Sequence, residues 1–159
     1  MMSYVYERPI QDYYPDDIAV CFGCGRHNPE GLHIETYWDG AEGICRFTPL
    51  PRHAAYPGVV YGGLIASLID CHSIGTAVAA AYQQQGRQPG SEPLILFFTA
   101  RLEVDFVSPA AVGAEMELRA RVTGLGERKS VVACSAASGG VECARGVVTA
   151  VRAAGTVGR

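Results

Sequence analysis

The sequence predicts an α+β domain in which an antiparallel sheet curls around one long central helix. Three observations carry this. An apolar segment from Gly62 to Tyr82 contains no proline, two strand-like runs precede it, and four follow it with links of hairpin length. A chain of 159 residues has room for one such domain with a real core and none for a second. We therefore expect an N-terminal arm over residues 1–20 and a single domain over 21–155.

Residues 1–20 are rich in tyrosine, carry Pro9, Pro15 and the Asp16-Asp17 pair, and show no sustained period, which fits an arm or cap. From Leu32 to Trp38 large apolar and polar residues alternate, Asp39-Gly40 marks a turn, and Gly43 to Thr48 continues extended. This is the pattern of a β-hairpin. Pro49, Pro51 and Pro57 then impose an irregular loop, because each removes a backbone donor and pushes its predecessor out of helical space.

The loop ends at Gly62-Gly63, where the helix begins. Leu64, Ile65, Leu68, Ile69, Ile74 and Val78, with four alanines among residues 77–81, make it apolar on nearly every face, so burial on all sides is expected. Asp70 and His72 at its centre, with the dilution by alanine and glycine, favour a core helix over a membrane span. Gln83 to Pro93 reads as an exposed connector. Strands are expected in Leu94–Val107, Glu115–Thr123, Ser130–Ala137 and Val141–Val151, divided by Ser108-Pro109, Gly124 to Gly126 and Gly139-Gly140. A sheet this small leaves an open edge, and closing it across a two-fold axis makes a homodimer the expected minimum.

Composition excludes some functions. Thirteen basic and 16 acidic residues, well mixed to a net charge of −3, argue against a nucleic-acid partner. Residues 1–20 lack a basic n-region and an apolar h-region, so no secretory signal is read and a cytoplasmic location is expected. Six scattered cysteines in a chain of this size are expected as reduced thiols, with Cys71, Cys134 and Cys143 acting as small buried hydrophobes. Cys21-x-x-Cys24, with His27 and His33 nearby, invites a zinc reading. No second Cys-x-x-Cys follows, however, and no metal or other cofactor is expected.

The glycine pair and Asp70 are the chemically pointed feature. A helix N-terminus presents unpaired N–H groups and partial positive charge, and glycines there let a ligand oxygen approach. A carboxylate in an otherwise apolar helix needs a reason. His72 lies about 200° around the helix from Asp70, so it cannot share that face and reads as a satisfied core or interface histidine.

Several ordered motifs together resemble a known family. They are Cys-x-x-Cys-Gly-x-x-Asn-Pro-x-Gly-Leu from Cys21 to Leu32, Tyr56-Pro57-Gly58-Val59-Val60-Tyr61-Gly62-Gly63 with Asp70 following, and Thr99 to Leu102 leading into Val104-Asp105-Phe106-x-x-Pro109. Over about residues 20 to 152 the chain is similar to the hotdog-fold acyl-CoA thioesterases of the phenylacetate-pathway type.

The resemblance implies a hotdog fold, hydrolysis of an acyl-CoA, and a homodimer or dimer of dimers. It assigns the oxyanion-binding amide to Gly63, with Gly62 shaping the turn, and makes Asp70 the nucleophile or the general base towards water. It implies a helper role for Thr99 and sites from different subunits in many members. Arg128 and Lys129 match basic residues near the CoA nucleotide, and Val60 and His53 complete the expected substrate-binding set. Tyr61 stands at the catalytic-loop position where the family has histidine, and the loop from Pro49 to Val60 has no Asn or Gln to carry the amide side chain of several relatives. Those departures motivate an alternative: an acyl-CoA-binding or structural hotdog protein impaired in catalysis. A hotdog dehydratase, which needs a wider Asp-to-His spacing than Asp70 and His72 provide, ranks last.

Overall fold

The computed structural model describes residues 4–154. Among the described residues the helix and six strands follow the expected order, and two further short strands, β3 and β4, form where an irregular loop was expected: β1 (Tyr37–Trp38), β2 (Gly43–Phe47), β3 (Ala54–Tyr56), β4 (Val59–Val60), α1 (Gly62–Gln84), β5 (Phe97–Phe106), β6 (Met116–Leu125), β7 (Lys129–Ser138) and β8 (Val141–Arg152). Six strands form one sheet in the order β1-β2-β6-β7-β8-β5, and every pairing is antiparallel. β3 and β4 form a separate short ribbon before the helix.

The sheet closes on α1 because β6, β7 and β8 alternate. Met116, Leu118, Ala120, Val132, Ala136, Ala144, Val148 and Ala150 face inward and are buried with Leu68, Ile69, Ala77 and Val78 of the helix. The many inward alanines bring the helix close to the sheet, and Gly146 brings it closer: a Cβ there would lie 2.5 Å from Ile69 Cγ2. This is the hotdog arrangement, a curved antiparallel sheet around one long helix.

β1 is shorter than the sequence alternation suggests, and the N-terminal segment is the reason. Ile10 N–H donates to Thr36 C=O at 2.8 Å, so the backbone just before β1 bonds to this segment instead of to β2, and Tyr6 N–H donates to Trp38 C=O of β1 itself at 3.1 Å. Ile10 and Gln11 are buried there against the helix.

The helix departs from the expectation of burial all round. Gly62, Gly63, Ala66, Ser67, Asp70, Cys71 and Ile74, one stripe at three- and four-residue spacing, are only half-buried. The helix is long and apolar enough to cross a membrane by composition alone, yet 72% of its apolar window is buried within the fold. The sheet and the N-terminal segment cover its other faces and leave this stripe as an open seam.

Candidate active site

Asp70 stands two turns into α1 on that seam. Thr99, near the start of β5, donates its hydroxyl to Asp70 Oδ1 at 2.5 Å. Burial raises the carboxyl pKa above the ordinary aspartate range; the Thr99 bond partly offsets this, and negative charge at Cys21 adds to it. Both residues line a cavity of about 270 Å³ whose other walls include Tyr14, Ile74, Val78 and Phe97. The site is thus a carboxylate, held by one hydroxyl, in the wall of a mainly apolar cavity.

Three cysteines line the same cavity. Cys71 follows Asp70 on the helix, and the loop after the N-terminal segment brings Cys21 and Cys24 to it, so all three sulfurs lie within 4.8 Å of one another. Cys71 is therefore not simply a small core residue, and with fifty positions between it and Cys21 no local motif announces their meeting. Hydrogen bonds from Cys24 and then Cys71 hold the Cys21 thiol far below its ordinary pKa, while the same cluster raises Cys24 and Cys71. His27 and His33 turn elsewhere: His27 pairs with Asp16 at 3.0 Å, and His33 Nε2 donates to Asn28 C=O.

Gly62 and Gly63 open the helix at the other end of the seam. Tyr61 is the N-cap residue but caps with its backbone alone: its carbonyl accepts Leu64 N–H at 3.0 Å, and its side chain makes no capping bond. Its ring lies over Gly63 instead. A Cβ on Gly63 would fall 2.4 Å from the Tyr61 hydroxyl, whereas one on Gly62 would meet the Phe106 ring at an ordinary 3.5 Å. Among the described residues no protein group accepts the Gly63 N–H, which leaves it free for a ligand.

His53 is built into the loop that presents this turn. Its Nδ1 accepts Leu50 N–H at 3.0 Å and its carbonyl accepts Tyr61 N–H at 2.8 Å. Burial, with Arg52 beside it, lowers its pKa. Val60, with Gly62 and Ile65, lines a second concavity against Phe106 and Pro109, separate from the Asp70 cavity. Within one chain, then, Asp70 and Thr99 sit in one depression, and Val60 and Gly62 sit in another. Gly63 and Asp70 share a helix face but stand roughly 10 Å apart by the helical rise.

Arg128 and Lys129 lie in the β6–β7 hairpin, away from Asp70. Their carbonyls accept Arg152 N–H and Gly126 N–H in the sheet, and neither side chain has an ionic partner among the described residues. Beside them a groove of about 240 Å³ is lined by Gly126, Glu127, Arg152 and the end of α1, and Phe97 borders both this groove and the Asp70 cavity. Arg152, at the end of β8 opposite the hairpin, is a groove cation for which no sequence motif gave a signal. His72 is a satisfied core histidine, with Thr36 Oγ1 at 2.9 Å from Nδ1 and Gly43 C=O accepting from Nε2 at 3.1 Å.

The sequence model of the Thioesterase superfamily matches residues 57–144, more than half of the chain and the whole span from the glycine turn to β8. The chain belongs to the thioesterase superfamily. A Pseudomonas aeruginosa protein provisionally named an esterase is 31% identical over 88 residues, 55% of this chain and 58% of that protein. The chain thus matches little more than half the length of that curated relative.

Among solved structures, a thioesterase superfamily protein from Shewanella loihica is 41% identical, with a TM-score of 0.61 over 76% of this chain and 91% of the other. The Escherichia coli PaaI protein of the phenylacetic acid degradation operon shares the fold at 16% identity, with a TM-score of 0.64 and coverage of 79% and 83%. A Streptococcus mutans protein bound to acetyl CoA shares it at 16% identity, with a TM-score of 0.59 and coverage of 71% and 82%.

Proposed function

We propose that this chain hydrolyses the thioester bond of an acyl-CoA to a free acid and coenzyme A. The observation that carries the reading is the Asp70–Thr99 pair in the wall of an apolar cavity. With Thr99 holding Oδ1, Oδ2 remains to take a proton from water, and the raised pKa brings this base closer to neutral pH, where general bases work best. Water gives that proton to Asp70 as it attacks the thioester carbonyl, the tetrahedral oxyanion accepts the free N–H of Gly63, and collapse breaks the C–S bond and expels the coenzyme A thiolate, which takes the proton back from Asp70. Membership of the thioesterase superfamily and the acetyl CoA held by the S. mutans protein support the substrate class.

Asp70 and Thr99 line one depression while Gly62, the neighbour of Gly63, lines another, so we place the working site between two copies, with Gly63 of one facing Asp70 of the other. β5 supports the same assembly. It is an edge of the sheet, ten residues long, with Phe98 and Phe106 each 57% exposed. A homodimer, alone or as half of a dimer of dimers, covers that edge. The six unpaired thiols suit a reducing compartment, and we place the protein in the cytoplasm.

The test is thiol release from a panel of short-chain, long-chain and aromatic acyl-CoAs, with Asp70→Asn beside the parent. Release that vanishes in the variant supports the reading; equal rates sink it. One observation favours a rival, acyl-CoA binding without turnover: the Tyr61 ring covers the Gly63 turn. Tight binding of a non-hydrolysable analogue by a dimer that cleaves nothing on the panel would select that rival.

A further inference from the structure

The thioester chemistry above makes no use of the three cysteines beside Asp70. Their sulfurs lie within 4.8 Å of one another, with Cys21 Sγ and Cys71 Sγ 4.0 Å apart. Two thiolates on one tetrahedral zinc, each at about 2.3 Å, stand roughly 3.8 Å apart, so little movement would be needed.

The surrounding loop is built to keep them there. Gly25 N–H donates to Cys21 C=O at 2.8 Å, His27 N–H to Ala19 C=O at 3.0 Å, and Ile34 N–H to Gly23 C=O at 2.9 Å. Two glycines are required by the same closure. A Cβ on Gly23 would lie 2.3 Å from Cys71 Sγ, and one on Gly25 would lie 2.4 Å from Cys21 N. The loop is therefore cut to fit the third sulfur, which arrives from the helix.

The geometry points to a soft-cation site in which Cys21, Cys24 and Cys71 bind one zinc ion, its fourth position opening on the cavity that Asp70 and Thr99 line. Three thiolates select a soft d10 cation over magnesium or calcium, whose ligands are oxygens. Three protein ligands with a fourth position left to water or to another group is an open coordination, distinct from the closed four-ligand sites that only brace a fold. Binding displaces the remaining thiol protons, so affinity rises with pH. It also ties the loop to α1, so zinc raises the unfolding temperature by mass action.

The test uses the full chain with no acyl-CoA present, so it is independent of whether the hydrolysis reading holds. Protein reduced with a phosphine and freed of metal by chelator is shown to carry six titratable thiols, then titrated with Zn²⁺ against a chromophoric chelator and, separately, with Co²⁺. The expected result is one equivalent per chain and a thiolate-to-cobalt charge-transfer band. Cys21→Ser and Cys71→Ala should each weaken zinc more than about 100-fold. Cys21 is exposed, so its serine variant keeps the fold, which far-ultraviolet circular dichroism checks. No zinc uptake by protein with all six thiols free overturns the site. So does a cobalt spectrum lacking the thiolate band, or affinity unchanged in Cys21→Ser.

Discussion

Asp70 lies where an apolar side chain would cost the fold less, since burial penalises its charge and a single hydroxyl offsets the penalty. Asp70→Asn keeps the shape and removes the proposed base; kcat should fall on the order of 10²–10⁴-fold with circular dichroism unchanged. Thr99→Val removes the donor. Because that bond lowers the carboxyl pKa, its loss should move the acid limb of the pH–rate profile upward. The two glycines are expected to separate. Gly63→Ala keeps the N–H but sets a methyl where the Tyr61 ring lies, so ring and ligand oxygen must shift at the oxyanion turn, and kcat should fall about 10²-fold. Gly62→Ala meets only ordinary contact with Phe106 and should stay within a few-fold of the parent, about 1 kcal/mol or less in barrier. Similar losses in both would contradict this account of the turn.

At the scale of elements, α1 and the four strands after it were legible because period-two alternation and Gly or Pro punctuation coincide there: β5 to β8 lie within a few residues of the expected runs. β1 pairs with β2 as the hairpin pattern implied but is shorter than expected, because the backbone just before it bonds to the N-terminal segment, and alternation does not say where pairing will stop. The glycine turn that opens α1 was legible from its local motif, and the Asp70–Thr99 contact from the family resemblance. The three-thiol cluster was not, since it depends on a loop docking fifty residues away, and Arg152 was not, since a strand end carries no motif. β5 carries the clearest element-level prediction. Leu102→Lys places a charge at the middle of an exposed edge and should shift sedimentation towards the monomer, with release of thiol from acyl-CoA falling in step. An undisturbed dimer would show that the copies meet elsewhere.

At the scale of the whole molecule, acid stability should report on His72. Burial holds its pKa near 4, below the ordinary value of 6.5, and its neutral ring joins Thr36 and Gly43 across the core. Its contribution is complete above about pH 6.5, where both folded and unfolded chains hold the ring neutral, and is lost as the pH falls towards 4, where the unfolded chain binds the extra proton. That loss amounts to about 3 kcal/mol. Urea midpoints at pH 7 and pH 4.5 should therefore diverge more in the parent than in His72→Gln; equal divergence would remove His72 from the acid response.

The half-buried seam on α1 carries Gly63 and Asp70 on one face, too far apart to grip a single carbonyl from the same chain. Two dead proteins should then rescue one another. Asp70→Asn retains a sound glycine turn and Gly63→Ala a sound carboxylate, so refolding the two together yields mixed pairs in which one site is intact and the other doubly broken. With random pairing, about a quarter of parental activity should return from a mixture whose parts have almost none.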